Sequence, residues 1–289
     1  MSVASTMRIE ETARHALKPA LAKAAGLSKR YVQRAPFSYK SFVIDALVDV
    51  EFDIAPASLT ALVGESGSGK STLARCLAML EKADRGEIWF EGKEVSRSSD
   101  RELKALRPKI QMVFQDSAGA LNPGFTAAQI IAEPLEVQRR ESGARLHSRA
   151  CELMEEVGLS PNWADRRPLE FSGGQRQRLA IARAIALKPA FLILDESVSG
   201  LDLSTQAQIL NLLLDLQKAH SLTYLLISHD LGLVGQIADF VAVMQQGKIV
   251  EQGPRREVFA NPRHHHTREL LASVRLLRSN FRTAQAGGR

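Results

Sequence analysis

The octapeptide Gly64-Glu65-Ser66-Gly67-Ser68-Gly69-Lys70-Ser71 constrains this chain more than any other stretch. It has the spacing G-x-x-x-x-G-K-S, follows the apolar run Leu59-Thr60-Ala61-Leu62-Val63, and opens a segment of helical pattern that begins at Lys70. A glycine-rich turn between a buried strand and a helix gathers backbone N–H groups around an anion, and the helix dipole adds to the attraction. In such a loop Lys70 reaches the outer phosphates of a nucleotide, and the Ser71 hydroxyl is available to Mg2+. Thr72 shares that helix start and joins the nucleotide-binding candidates. A strand–loop–helix unit of this kind belongs to an α/β protein with parallel strands.

The rest of the chain supports that class. Strands are expected at 43–54, 59–63, 86–92, 110–114, 191–194 and 222–227. Two more, at 240–244 and 248–251, form a hairpin through Gln246-Gly247. Helices are expected at 70–80, 127–140, 146–157, 174–187, 204–219 and 267–278. The middle block of helices interrupts the alternation of strand and helix and reads as an inserted lobe. Residues 1–19 form a polar N-terminal extension. Residues 20–25 are alanine-rich and read locally as helix.

Composition narrows the setting. The chain has 289 residues, 45% of them hydrophobic and 24% charged, which is ordinary for a soluble globular protein. A net charge of +6 is compatible with an anionic ligand, an anionic membrane surface or nucleic acid, and does not choose among them. Cys76 and Cys151 are the two cysteines, and neither sits in a CxxC pair, so a disulfide framework or a zinc site is not expected. The first twenty residues include Glu10 and Glu11 and lack an apolar core, so no secretory signal is read there. The longest uncharged stretch, 117–132, contains Asn122, Pro123, Gly124 and Gln129 and does not read as a membrane span.

Two further motifs carry chemistry. Phe191-Leu192-Ile193-Leu194-Asp195-Glu196 is an apolar strand ending in two carboxylates. Asp195 there can hold Mg2+, and Glu196 can polarise an attacking water. Phe171-Ser172-Gly173-Gly174-Gln175 starts a helix, with Ser172 a natural N-cap. Its exposed amides make a second anion site. A chain that already has a phosphate loop gains from a second only if it faces another subunit's nucleotide.

Together these motifs resemble the nucleotide-binding subunits of ABC transporters over residues 20–274. The phosphate loop corresponds to Walker A, 191–196 to Walker B, and Ser172-Gly173-Gly174-Gln175 to the LSGGQ signature with Phe171 in place of Leu. Gln115 in Val113-Phe114-Gln115-Asp116 matches the Q-loop. Ser199-Gly200-Leu201-Asp202 matches the D-loop, and His229 matches the switch histidine. The resemblance implies a RecA-like P-loop core, an N-terminal antiparallel β subdomain and an inserted α-helical subdomain at about 116–168, all within 20–260, with a helical tail over 261–289. It implies ATP and Mg2+ as cofactors. Ser71, Gln115 and Asp195 would serve the metal, Glu196 would be the general base, and His229 would hold the γ-phosphate and the attacking water. Ser172 and Gly174 would contact the γ-phosphate across a head-to-tail dimer. The adenine would stack on Tyr31, which follows Gly26-Leu27-Ser28-Lys29-Arg30, or on Phe37 or Tyr39 in the insertion that follows. It also implies that 20–27 is strand, against its local propensity.

Finer features resemble the peptide/nickel importer branch: Ile110-Gln111-Met112-Val113-Phe114-Gln115-Asp116, Leu121-Asn122-Pro123, Ile131-Ala132-Glu133-Pro134-Leu135, and Asn261-Pro262-Arg263-His264-His265-His266-Thr267-Arg268. In the last run His264 fits the branch pattern, while His265 and His266 stand where Pro and Tyr are usual. Ser197 replaces a Pro after Glu196, and Ser117 replaces a Pro after Asp116, which lean toward nickel-type subunits. No Cys-rich tail follows, so an iron–sulfur cluster is not expected. The resemblance implies a second ATP-binding subunit, two membrane permeases, a solute-binding protein acting indirectly, and a place on the cytoplasmic face of the inner membrane without nucleic acid. The alternatives are a soluble ATPase of the same family acting on nucleic acid or ribosomes, and a binding module that does not hydrolyse.

Overall fold

The computed structural model describes residues 19–34, 41–115, 117–138, 142–197 and 199–273. They form two compact units: residues up to Ser98 together with those from Asp230 onward, and Ser99–His229.

The first unit holds a four-stranded antiparallel sheet built from β1 (Ala22–Arg34), β2 (Ser41–Ile54), β4 (Arg85–Phe90) and β5 (Lys93–Glu94), in the order β2-β1-β4-β5. β1 contains the alanine-rich segment whose local preference is helix. The strand wins because β1 is central and paired on both sides, and because Ala22, Ala24 and Leu27 bury one face while Lys23 and Ala25 stay partly open. Tertiary pairing overrides a propensity of a few tenths of a kcal/mol per residue. The register shifts of β1 against β2 fall between Ala24 and Arg30.

The same unit contains β3 (Leu59–Val63), which pairs in parallel with β9 (Phe240–Gln245), and β10 (Lys248–Pro254), antiparallel to β9. Gln246 and Gly247 both have positive φ, at 47° and 79°. This is the two-residue turn whose twist matches a hairpin. Helix α1 (Lys70–Leu77) ends three residues before the expected Leu80. Met79 takes a left-handed conformation, its N–H donates to the Cys76 carbonyl and that of Leu80 to the Arg75 carbonyl. That is a Schellman closure with Met in the glycine position.

The tail is fastened to β10. The Glu251 carboxylate accepts the backbone N–H groups of Arg263 (2.8 Å) and His264 (3.0 Å) at the entry to a helix over 265–273. The expected helix at 267–278 is therefore present as far as the described residues extend. His264 Nδ1 accepts the His266 N–H, and the His266 side chain is buried. Among the described residues no group of three or more His, Cys, Asp or Glu side chains is arranged to hold a metal, the triple histidine included.

The second unit places β6 (Ile110–Val113), β7 (Phe191–Asp195) and β8 (Thr223–Ile227) in a parallel array in the order β8-β7-β6. Every residue of β7 and β8 is buried, so their apolar runs are strands covered on both faces. The helices are α2 (Asp100–Leu106), α3 (Ser117–Ala120), α4 (Ala127–Val137), α5 (Ala144–Glu156), α6 (Gly173–Ile185) and α7 (Leu203–His220). Capping boxes Ser99/Glu102, Thr126/Gln129 and Ser172/Gln175 start α2, α4 and α6. The first unit adds two short helices, α8 (Leu231–Ile237) and α9 (Arg255–Ala260). Among the described residues no helix is long and apolar enough to cross a membrane.

α4, α5 and α6 pack around Ile130, Ile131, Leu135, Leu153, Met154 and Leu179. Leu153→Ala should lower stability by about 2–5 kcal/mol, the range for a fully buried Leu. Urea denaturation checks this; a loss below about 1 kcal/mol would mean that the lobe collapses around the cavity.

Candidate functional site

The phosphate loop runs from the end of β3 to the start of α1. Lys70 is 5% exposed, and its ammonium donates to the carbonyls of Gly64 (2.8 Å) and Glu65 (2.7 Å), with Ser68 Oγ at 3.4 Å. Ser68 N–H closes the turn onto the Glu65 carbonyl, and the Gly247 N–H ties the loop to the β9–β10 turn through the Ser68 carbonyl. Two glycines are sterically required. A Cβ on Gly64 (φ +151°) would lie 2.1 Å from the Met244 carbonyl oxygen, and one on Gly69 (φ +106°) would lie 2.3 Å from that of Ala46. Among the described residues a Cβ on Gly67 would meet nothing within 4 Å, and Ser66 and Gly67 are exposed, so the loop is open there. A buried cation beneath an open glycine-rich turn fits a phosphate chain.

Tyr31 lies on β1. Its hydroxyl donates to Glu81 (2.6 Å), and Lys29 sits 5.6 Å from the ring centroid while pairing with Glu81 and Asp84. Burial, followed by the Glu81 contact, raises the phenol above its ordinary pKa. Its cross-strand partner Ile44 and the nearby Phe42 are exposed apolar side chains. Phe37 and Tyr39 lie outside the described residues.

In the second unit, three residues distant in sequence come together. β7 ends at Asp195, 4% exposed, and Glu196 follows with φ +45°. Gln115 Nε2 donates to Glu196 Oε2 at 2.8 Å, and His229 Nδ1 is 3.7 Å from Glu196 Oε1. Glu196 N–H is held by the Ile227 carbonyl, and its own carbonyl accepts from Ser199. The base candidate is thus fixed by backbone on both sides, in a left-handed conformation that is uncommon for a non-glycine residue. Ser197, the residue standing for Pro, is buried, and its hydroxyl has no hydrogen-bond partner among the described residues.

Ser172 caps α6: its Oγ accepts the Gln175 N–H, and Gln175 Oε1 accepts the Ser172 N–H. Ser172 and Gly173 are exposed, with Gly174 half-buried behind them. Phe171, in place of the usual Leu, is buried edge-on against Trp163 at 6.1 Å, so the substitution keeps an apolar anchor. Asp202 caps α7 and accepts two bonds from Thr205. Its hydroxyl donates to Oδ2 at 2.7 Å and its N–H to Oδ1 at 2.9 Å, and the two hold the carboxyl below the usual range. Neither Thr205 nor the Trp163 anchor is singled out by sequence reading. A Thr three residues after an N-cap Asp is the signal for the first.

A groove of about 360 Å³ lies between α4 and α5, lined by Phe125, Ala128, Gln129, Glu133, Leu146 and His147. The phosphate loop offers the Ser71 hydroxyl, and in the second unit Gln115 and Asp195 offer amide and carboxylate oxygens; each is a donor type that a hard cation such as Mg2+ takes.

The ABC transporter family model matches residues 47–199. The glutathione import ATP-binding protein GsiA of Escherichia coli (strain K12) is 51% identical over 231 residues, covering 80% of this chain and 37% of that protein. GsiA of Salmonella typhimurium is 47% identical over 250 residues, covering 86% and 40%. The chain therefore spans about two fifths of the length of these curated relatives. Among solved structures, the dimeric ATP-binding cassette MJ0796 bound to ADP and Pi matches with TM-score 0.72 and 29% identity, covering 81% of this chain and 99% of that one. The cbiO1 cassette of Clostridium perfringens, part of the cbiONQ transporter complex, matches with the same score and identity over 84% and 92%. These cassettes share the RecA-like P-loop architecture expected from the sequence. With more than half of its length matched by the family model, this chain belongs to the ABC transporter family and is one of its ATP-binding cassettes.

Proposed function

We propose that this chain is the ATP-hydrolysing subunit of an importer, acting with a second ATP-binding subunit and two membrane permeases. The observation that carries the reading is the convergence of Gln115, Glu196 and His229 on a chain that also has a complete phosphate loop. Gly64, Glu65, Ser66, Gly67, Ser68, Gly69 and Thr72 wrap the phosphates, and Lys70 neutralises them. Glu196 accepts a proton from the attacking water, while His229 and Gln115 orient that water and the γ-phosphate. Mg2+, held through Ser71, Gln115 and Asp195, would offset charge on the phosphate oxygens. Tyr31 stacks on the adenine. Ser172, Gly173, Gly174 and Gln175 engage the nucleotide of the second subunit, with Asp202 beside that contact.

The α4–α5 groove offers apolar lining and a few polar groups, which suits a short helix of a permease. The matched relatives are named for glutathione import, and glutathione is a tripeptide. That favours a small peptide over nickel as the solute, against the lean of Ser117 and Ser197.

Permease docking has a measurable consequence. Attraction of basic residues to anionic lipid is worth about 1 kcal/mol per well-placed Lys or Arg and is screened by salt. Packed helix contacts survive it. Membranes from cells that make the whole transporter should retain this protein through a high-salt wash, and membranes lacking its permeases should not. Complete release by salt, or co-sedimentation with ribosomes or DNA, would overturn the importer reading.

A further inference from the structure

The geometry points to Thr205 as a positioning residue that locks the signature turn and the Asp202 loop into one arrangement. This rests on the ATPase reading above and adds to it a residue that touches no nucleotide itself.

Thr205 occupies the first turn of α7 and uses both branches of its side chain. On one side its Oγ1 donates to Asp202 Oδ2 at 2.7 Å, and its N–H donates to Asp202 Oδ1 at 2.9 Å. Both carboxylate oxygens of Asp202 are therefore occupied by one residue. On the other side its methyl faces the signature turn. A Cβ built on Gly174 would lie 2.4 Å from Thr205 Cγ2, and one on Gly173 would lie 3.6 Å from Leu201 Cδ2. Both signature glycines thus look onto the segment 201–205.

A threonine cannot move one branch alone. Its hydroxyl and methyl are fixed at tetrahedral positions on Cβ, and χ1 rests in staggered wells. Turning the methyl away from Gly174 takes the hydroxyl off Asp202. The signature turn therefore cannot shift toward α7 without breaking the bond from the Thr205 hydroxyl to Asp202 Oδ2. Gly174 gains a reason to be glycine that is separate from close approach to a phosphate. Asp202 and Ser172 each belong to a loop proposed to work at the second subunit, so holding them in register sets both contacts together.

The test separates the two branches. Thr205→Val keeps a methyl and removes the hydroxyl, and Thr205→Ser keeps the hydroxyl and removes the methyl. Steady-state phosphate release, with kcat and KM for MgATP resolved, should show kcat of Thr205→Val reduced about threefold to tenfold with KM little changed, the size of coupling between contacting groups. Gly174→Ala should be slower still, because its methyl meets Thr205. The double variant Gly174→Ala/Thr205→Ser should recover at least about threefold over Gly174→Ala alone. The rescue reads the contact between the methyl and Gly174, and the loss of kcat in Thr205→Val reads the link through the hydroxyl. Wild-type kcat in Thr205→Val, or a double variant no faster than Gly174→Ala, overturns the role of Thr205 while leaving the ATPase reading standing. A wild-type chain that releases no phosphate overturns both.

Discussion

Glu196→Gln should lower MgATP hydrolysis roughly 10²–10⁴-fold, the usual worth of a positioned general base, while nucleotide still binds. The substitution preserves volume and one carbonyl-type acceptor, so the strand end and its turn should keep their shape. Of the two carboxylate oxygens, Oε2 accepts from Gln115 and Oε1 faces His229. An amide retains at most one of those acceptors and cannot take a proton from water. Steady-state phosphate release and equilibrium binding of a fluorescent ATP analogue measure the two halves of this expectation. Near-normal turnover would remove Glu196 from its role.

Lys70→Ala should weaken MgATP binding about tenfold to a hundredfold, since a hydrogen bond to a charged partner contributes about 1.5–3 kcal/mol. The lysine has a second effect. Its ammonium already satisfies the carbonyls of Gly64 and Glu65, in a loop held by the close backbone approaches at Gly64 and Gly69. Alanine leaves those acceptors without the cation that organises them, so the loop should loosen even without nucleotide. Nucleotide titration reads the first effect, and hydrogen exchange over 64–71 reads the second. Wild-type affinity in the variant would show that the phosphates are held elsewhere.

Elements with a distinctive local pattern are legible in the sequence. The buried strands at 191–195 and 223–227, the phosphate loop and the hairpin through Gln246-Gly247 all stand where their residues indicate. β1 was not legible from local preference, because its strand is imposed by partners on both sides rather than by its alanines. The short helices α2, α8 and α9 span six or seven residues each, too few for a helical period to emerge. In the site, individual side chains could be nominated, but their meeting could not. Gln115 and Glu196 are 81 residues apart, and Tyr31 finds its partner Glu81 across 50. Thr205 is not legible in the sequence because it faces Gly174, a juxtaposition of two helix starts that no spacing in the chain encodes.

The proposed sharing of a nucleotide between two subunits makes hydrolysis depend on mixing. Lys70→Ala removes the phosphate-loop half of each site, and Ser172→Arg blocks the signature half, so each variant alone should be inactive. In a mixed dimer one of the two sites combines an intact Lys70 with an intact Ser172. An equimolar mixture pairing at random should therefore recover about a quarter of wild-type phosphate release. A mixture that stays as inactive as its components, with mixed dimers demonstrated by tagged pull-down, would contradict a shared site.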